Sequence, residues 1–165
     1  MVKLSMPYAP KQGGAIMWAN NKVKDWMTAH VITVKPDTPV TVAHHKMKEM
    51  GIRRLPVLDH DRLVGIVTIG DIREARPSDA TSLTIWELNY LWAQLTVERV
   101  MTRNVLTVHP ESSIYDAAQI MLDNKVSGLP VVDDSGKLVG MITESDIFKM
   151  VVRSRDTIDS GMATP

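Results

Sequence analysis

Val23-Lys-Asp-Trp-Met-Thr-Ala-His-Val-Ile-Thr-Val-Lys-Pro36 returns 74 positions later as Val97-Glu-Arg-Val-Met-Thr-Arg-Asn-Val-Leu-Thr-Val-His-Pro110. The correspondence continues. Leu55-Pro-Val-Leu-Asp59 returns as Leu129-Pro-Val-Val-Asp133. After one inserted residue, Leu63-Val-Gly-Ile-Val-Thr-Ile-Gly-Asp-Ile72 returns as Leu138-Val-Gly-Met-Ile-Thr-Glu-Ser-Asp-Ile147. From Val23 to Asp59, 13 of 37 positions match their counterparts, against roughly two by chance. The chain is one unit used twice.

Each copy parses alike. A short helical turn ends at Met27 or Met101, followed by a brief extended segment closed by a proline. Thr38 to Met50 predicts a helix with Val42, Met47 and Met50 inside and Gly51 as a left-handed stop. In the second copy Ser112 or Ser113 caps the matching helix, with Ile114, Ala117, Ala118, Met121 and Leu122 inside. Leu55–Leu58 and Leu63–Ile69 read as strands around a turn at Asp59 and Asp61, with Ser135-Gly136 turning the second copy. Last helices follow near Gly70–Ala75 and Glu144–Arg153. The expected organisation is an irregular lead-in over 1–21, repeat one over 22–75, a linker over 76–96, repeat two over 97–153 and a flexible tail over 154–165. Tyr8 and Trp18 are expected to pack locally. The linker carries a capping box, Thr84-Ile-Trp-Glu87, and Ile85, Leu88, Leu91, Trp92 and Leu95 at helical spacing. Trp86 and Tyr90 fall on a second face, available to a partner subunit.

Composition narrows the function. Lys plus Arg equals Asp plus Glu at 19 each among 165 residues. A neutral chain without a basic run argues against binding nucleic acid through phosphate neutralisation. Zero cysteines exclude disulfides, thiolate zinc sites and cysteine nucleophiles, and agree with a cytoplasmic protein. No stretch approaches the ~18 apolar residues of a membrane span, and Met1–Asn21 does not read as a signal peptide. His44-His45 point about 100° apart on a helix, so they do not grip one metal together. No P-loop, Gly-x-Gly-x-x-Gly or Ser/His/Asp grouping stands out, so an enzyme is not expected.

The ordered pattern of Met-Thr, Thr-Val-x-Pro, helix, Leu-Pro-Val-x-Asp and Val-Gly-x-x-Thr-x-x-Asp-Ile, present twice, resembles the cystathionine-β-synthase (CBS) domain. Two tandem copies resemble a Bateman module, over roughly Lys22 to Val152, as in stand-alone bacterial CBS-pair proteins. The resemblance implies an α/β (α+β) fold: two βαββα repeats packed sheet to sheet with pseudo-twofold symmetry, and two clefts between them. It implies a regulatory adenosyl-nucleotide-binding module without catalysis. AMP, ADP or ATP are the leading ligands and S-adenosylmethionine is the second. It also implies a homodimer acting on an unidentified protein target. The alternative is an interaction module with vestigial clefts.

Thr68-x-x-Asp71 and Thr143-x-x-Asp146 sit where a strand becomes a helix, and by themselves read as capping boxes. The resemblance gives each aspartate the two ribose hydroxyls, which suits a carboxylate with two acceptor oxygens. Each cleft would join the Thr-x-x-Asp of one copy to the opening segment of the other. Cleft one is then Arg54, Ile66, Thr68, Gly70 and Asp71 with Asn104, Val105, Leu106 and Val126. Cleft two is Met141, Thr143, Ser145, Asp146 and Gly128 with His30, Val31, Ile32 and Ile52. Arg53-Arg54 stand where the second copy has Ser127-Gly128. Phosphate is therefore expected at cleft one, through Arg54 and Arg53, with Arg73 and Arg103 adding positive potential. Cleft two, with Gly128 and Glu144, is expected to suit an uncharged or cationic adenosyl group, or no ligand.

Overall fold

A computed structural model describes residues 21–76 and 84–161. The expectations for Tyr8 and Trp18 fall outside these residues. Repeat one runs α1 (Val23–Trp26), α2 (Val40–Glu49), β1 (Arg54–Asp59), β2 (Arg62–Thr68) and α3 (Ile69–Glu74). The linker helix is α4 (Ile85–Gln94). Repeat two runs α5 (Val97–Val100), α6 (Ile114–Asn124), β3 (Gly128–Val132), β4 (Leu138–Thr143) and α7 (Glu144–Gly161). In each repeat the two strands form an antiparallel hairpin, pairing Arg54 with Thr68 and Gly128 with Thr143. The first turn uses His60 and Asp61, both at positive φ (45° and 64°), the backbone twist that two-residue hairpin loops require. The expected third strand of each unit shrinks to one parallel bridge, Val34 to Val57 and Val108 to Val131. Pro36 and Pro110 follow two residues later, and a residue without an N–H cannot extend the ladder.

The opening turns are exchanged. Val97, at the start of repeat two, is fully buried in the core of repeat one with Val40, Met47, Leu55 and Ile72. Val23, at the start of repeat one, is buried in the core of repeat two with Ile114, Leu129, Ile142 and Met150. Backbone bonds secure both: Val97 N–H donates to Thr38 O at 2.8 Å and Val23 N–H to Ser112 O at 2.9 Å. The Met-Thr that follows reaches the partner hairpin. Thr28 bridges Met141 on β4, and Thr102 bridges Ile66 on β2. Arg62 also bridges Lys137, joining the two hairpins directly.

This exchange explains the repeated Val-Gly. A Cβ on Gly140 would overlap the Met27 side chain, and one on Gly65 would overlap Met101 and come within 3.2 Å of Thr102 O. Gly65→Val is therefore expected to destabilise the chain by about 1–3 kcal/mol, the range for overpacking. Its thermal midpoint should drop several degrees, and an unchanged midpoint would remove this account of the glycine.

The helices bury a narrower stripe than expected. On α2 the buried residues are Val40, Ala43 and Met47, spaced three and four apart as one helical face demands. Val42 is 52% exposed and Met50 55%; Val42 lies two residues, about 200°, round from Val40, and Met50 is already the C-cap. On α6, capped by Ser113, Ile114, Ala117 and Met121 are buried while Leu122 is 74% exposed. On α4, Trp92 and Leu95 pack against the first core, but Leu91 is exposed beside Trp86 and Tyr90. The last helix continues to Gly161, past the expected end at Arg153. No glycine or proline interrupts Ser154 to Ser160, so nothing stops it sooner.

Candidate functional site

The exchange leaves a cavity at each strand-to-helix junction. The first, of about 460 Å³, is bordered by Ile66, Thr68, Gly70 and Asp71 of repeat one. Asn104, Val105, Leu106 and Val126 of repeat two face them. The second, of about 570 Å³, is bordered by Met141, Thr143, Ser145 and Asp146, with His30, Val31, Ile32 and Ile52 opposite. Gly128 departs from expectation: it borders the first cavity, not the second. Arg53 and Arg54 border both. Arg73 and Arg103 are not among the residues bordering either, and Arg103 Nη2 is occupied with Glu98 O at 3.1 Å.

At the first junction Asp71 Oδ2 accepts from Thr68 N–H at 2.7 Å and from Thr68 Oγ1 at 2.8 Å. Thr68 Oγ1 in turn lies 3.3 Å from Asp71 N, closing the capping box. Asp71 Oδ1 has no protein partner among the described residues. At the second junction Asp146 Oδ2 accepts from Thr143 N–H at 3.0 Å and Oγ1 at 2.7 Å. Here the other oxygen is engaged: Lys149 Nζ donates to Asp146 Oδ1 at 3.0 Å. Asp146 is only 6% exposed and is the one buried charged residue among those described. The two carboxylates thus accept the same pair of threonine donors but differ in what remains free.

Arg54 extends from the start of β1 across to repeat two. Its Nη1 donates to Ser127 O at 2.6 Å and its Nη2 to Ser127 Oγ. Burial pushes its pKa down, opposed by the nearby Glu144 carboxylate, with Arg53 adding to the lowering. An arginine starts so high that it keeps its charge at neutral pH. The anticipated charge contrast between the clefts is therefore replaced by a guanidinium on their common wall. Gly128 is the counterpart of Arg54 in the repeat, and its missing side chain is the space that the longer side chain fills.

Lysines were missed as well. Lys149 borders the second cavity and Lys125 the first. Lys149 was findable, since it follows Asp146 by three residues and so shares its helix face. Lys125 stands at positive φ (54°) where repeat one has Gly51 (64°), and a sequence gives little warning of a left-handed lysine. No group of three His, Cys, Asp or Glu side chains among the described residues could hold a metal ion. No helix of the described residues is long and apolar enough to cross a membrane.

A duplicated unit with exchanged openings and paired cavities at its Thr-x-x-Asp junctions defines the class. The chain belongs to the CBS-domain family, whose pattern matches residues 23–78 and 97–153. An uncharacterised protein of Methanocaldococcus jannaschii is 36% identical over 132 residues, covering 80% of this chain and 40% of its own length. The CBS domain pair of another protein, MJ0100, crystallised with 5′-methylthioadenosine and S-adenosyl-L-methionine, is 32% identical with a TM-score of 0.68. That likeness covers 81% of this chain and 98% of the other. CBSX2 of Arabidopsis thaliana, crystallised in complex with AMP, is 29% identical with a TM-score of 0.67, over 82% of this chain and 99% of that one. The chain spans from 24% to 47% of the length of four curated relatives that contain a matching region.

Proposed function

We propose that this chain is a regulatory module that binds an adenosyl ligand in the two cavities and passes the occupancy on to a protein target. The observation that carries the reading is the pair of capped carboxylates, Asp71 and Asp146, each on the wall of a cavity lined on the opposite side by an apolar opening segment. Apolar residues such as Val105, Leu106, Val31 and Ile32 suit an adenine face, and a carboxylate suits two neighbouring ribose hydroxyls. Related CBS pairs crystallised with AMP and with S-adenosyl-L-methionine support the same ligand class.

The test is thermal stability with AMP, ADP, ATP, S-adenosylmethionine and 2′-deoxy-AMP. A ligand bound only by the folded state adds about 2.7 kcal/mol at a hundredfold excess over Kd. Ribonucleotides should raise the midpoint more than the 2′-deoxy analogue, which leaves the carboxylate short of one donor. Unchanged midpoints at millimolar concentration would transfer the chain to the alternative, an interaction module with vestigial clefts.

The reading includes a homodimer. Val42 on α2 and Met50 at its C-cap, Tyr115 and Leu122 on α6, and Phe148 and Val152 on α7 are all exposed large apolar residues, a surface in keeping with an interface. Twofold pairing is the commonest oligomer symmetry. Light scattering should give twice the chain mass of 18.4 kDa. A monomer at tens of micromolar would remove the dimer.

A further inference from the structure

Two arginines border both cavities, and one of them, Arg54, is anchored between them. Arg54 borders the first cavity together with Thr68 and Asp71, and the second together with Glu144 and Asp146. Its side chain is half-buried and seated on Ser127 through two donors. The seat exists because residue 128 has no side chain: a Cβ there would overlap Arg54 Nη1 and lie 3.2 Å from Ile142 O. The other cations are deployed differently. Lys125 borders only the first cavity, and Lys149 borders only the second and is held by Asp146. Arg53 borders both but is exposed, so water screens its charge.

A guanidinium offers its donors in one plane, and two N–H groups side by side match one phosphate. With one N–H of Nη1 and one of Nη2 given to Ser127, the paired edge left is Nε–H with a remaining Nη N–H, and one such edge serves one phosphate at a time. Resting on the reading of the cavities as adenosyl-ligand sites, we propose that Arg54 makes the two cavities compete. It serves the anionic group of one bound ligand at a time, so two phosphate-bearing ligands bind with negative coupling while uncharged adenosyl ligands bind independently. By linkage, occupancy of either cavity weakens the other by the same factor. The pair of sites then responds over a wider range of nucleotide concentration than two equal sites would.

The experiment is calorimetric titration of the full chain with AMP and, separately, with adenosine. Asp71→Ala and Asp146→Ala each weaken one cavity, so that the other is titrated while its neighbour is largely empty. Unliganded melting curves establish that each variant is folded. In the unmodified chain the weaker AMP step is expected to be about fivefold or more below the affinity of the same cavity measured alone, the lower end of measured couplings. Adenosine should show no such difference. Arg54→Gln should abolish the difference for AMP. Gly128→Ala keeps the charge but removes its seat, confining Arg54 to one cavity, and should also reduce the coupling. Coupling that is absent, that survives in Arg54→Gln, or that is equal for adenosine overturns this inference and leaves the adenosyl-site reading standing. So does a single AMP site in both the unmodified chain and Arg54→Gln. Binding of no adenosyl ligand overturns both.

Discussion

Val97→Asp is expected to unfold the whole chain rather than repeat one or repeat two alone. By sequence Val97 opens repeat two, yet it is fully buried in the core of repeat one. A carboxylate there has no cation partner among the buried residues around it, which are Val34, Val40, Ala43, Met47 and their apolar neighbours. An unpaired buried charge costs about 3–5 kcal/mol or more, against a total stability of about 5–15 kcal/mol for a domain of this kind. The fold offers no local escape. Val97 N–H is bonded to Thr38 O and Glu98 N–H to Pro36 O, so expelling the side chain also strips the segment leading into α2 of its partners. Val97→Ala, which only truncates the side chain, should cost about 1.5–3 kcal/mol and leave a cooperative transition. Hydrogen exchange distinguishes the cases. Exchanged openings require β1–β2 and β3–β4 amides to lose protection together in Val97→Asp. Protection that persists in the β3–β4 hairpin would mean that the repeats are stable apart, and would remove the exchange as the basis of the fold.

The same exchange marks the boundary of what could be read from the sequence. The duplication made the unit visible, and the side-chain caps at Thr68 with Asp71 and Ser113 with Asp116, like Thr84 with Glu87 in the linker, are local. Such bonds span three residues, so spacing alone reveals them. The two sets of cavity-bordering residues were also legible, apart from Gly128, because the resemblance supplied the pairing of each junction with the opposite opening. Long-range placement was not. Arg54 and Ser127 are 73 residues apart, and a missing side chain at 128 is the only trace that the guanidinium occupies that space. The exposed Val42, Met50 and Leu122 are expected as core from the sequence because apolar character shows what can be buried, not what is covered. Their exposure in a single chain follows from the narrow stripe that each helix turns to its hairpin.

Asp71→Ala is expected to weaken AMP and adenosine alike at the first cavity by about 10- to 150-fold, since a hydrogen bond to a charged group contributes about 1.5–3 kcal/mol. The equal effect on both ligands follows from the shared ribose; a phosphate contact would separate them. Asp71 suits this role better than Asp146. Its Oδ1 is free of protein partners among the described residues, whereas Asp146 Oδ1 already accepts from Lys149 Nζ at 3.0 Å. A ribose at the second cavity must displace or share that ammonium, and a phosphate there would attract it away. Lys149→Met should therefore strengthen adenosine at the second cavity while weakening AMP, a change of opposite sign for two ligands that differ only in phosphate. The cap is the confounder. Asp71 Oδ2 also holds Thr68 N–H, so its loss costs about 0.5–2 kcal/mol of folding stability. Asp71→Asn separates the two roles, because a neutral amide oxygen can still receive the Thr68 N–H but accepts ribose hydroxyls less strongly than a carboxylate. If Asp71→Asn binds both ligands like the unmodified chain, and Asp71→Ala loses affinity only in proportion to its lower melting point, Asp71 is a helix cap and the ribose contact lies elsewhere.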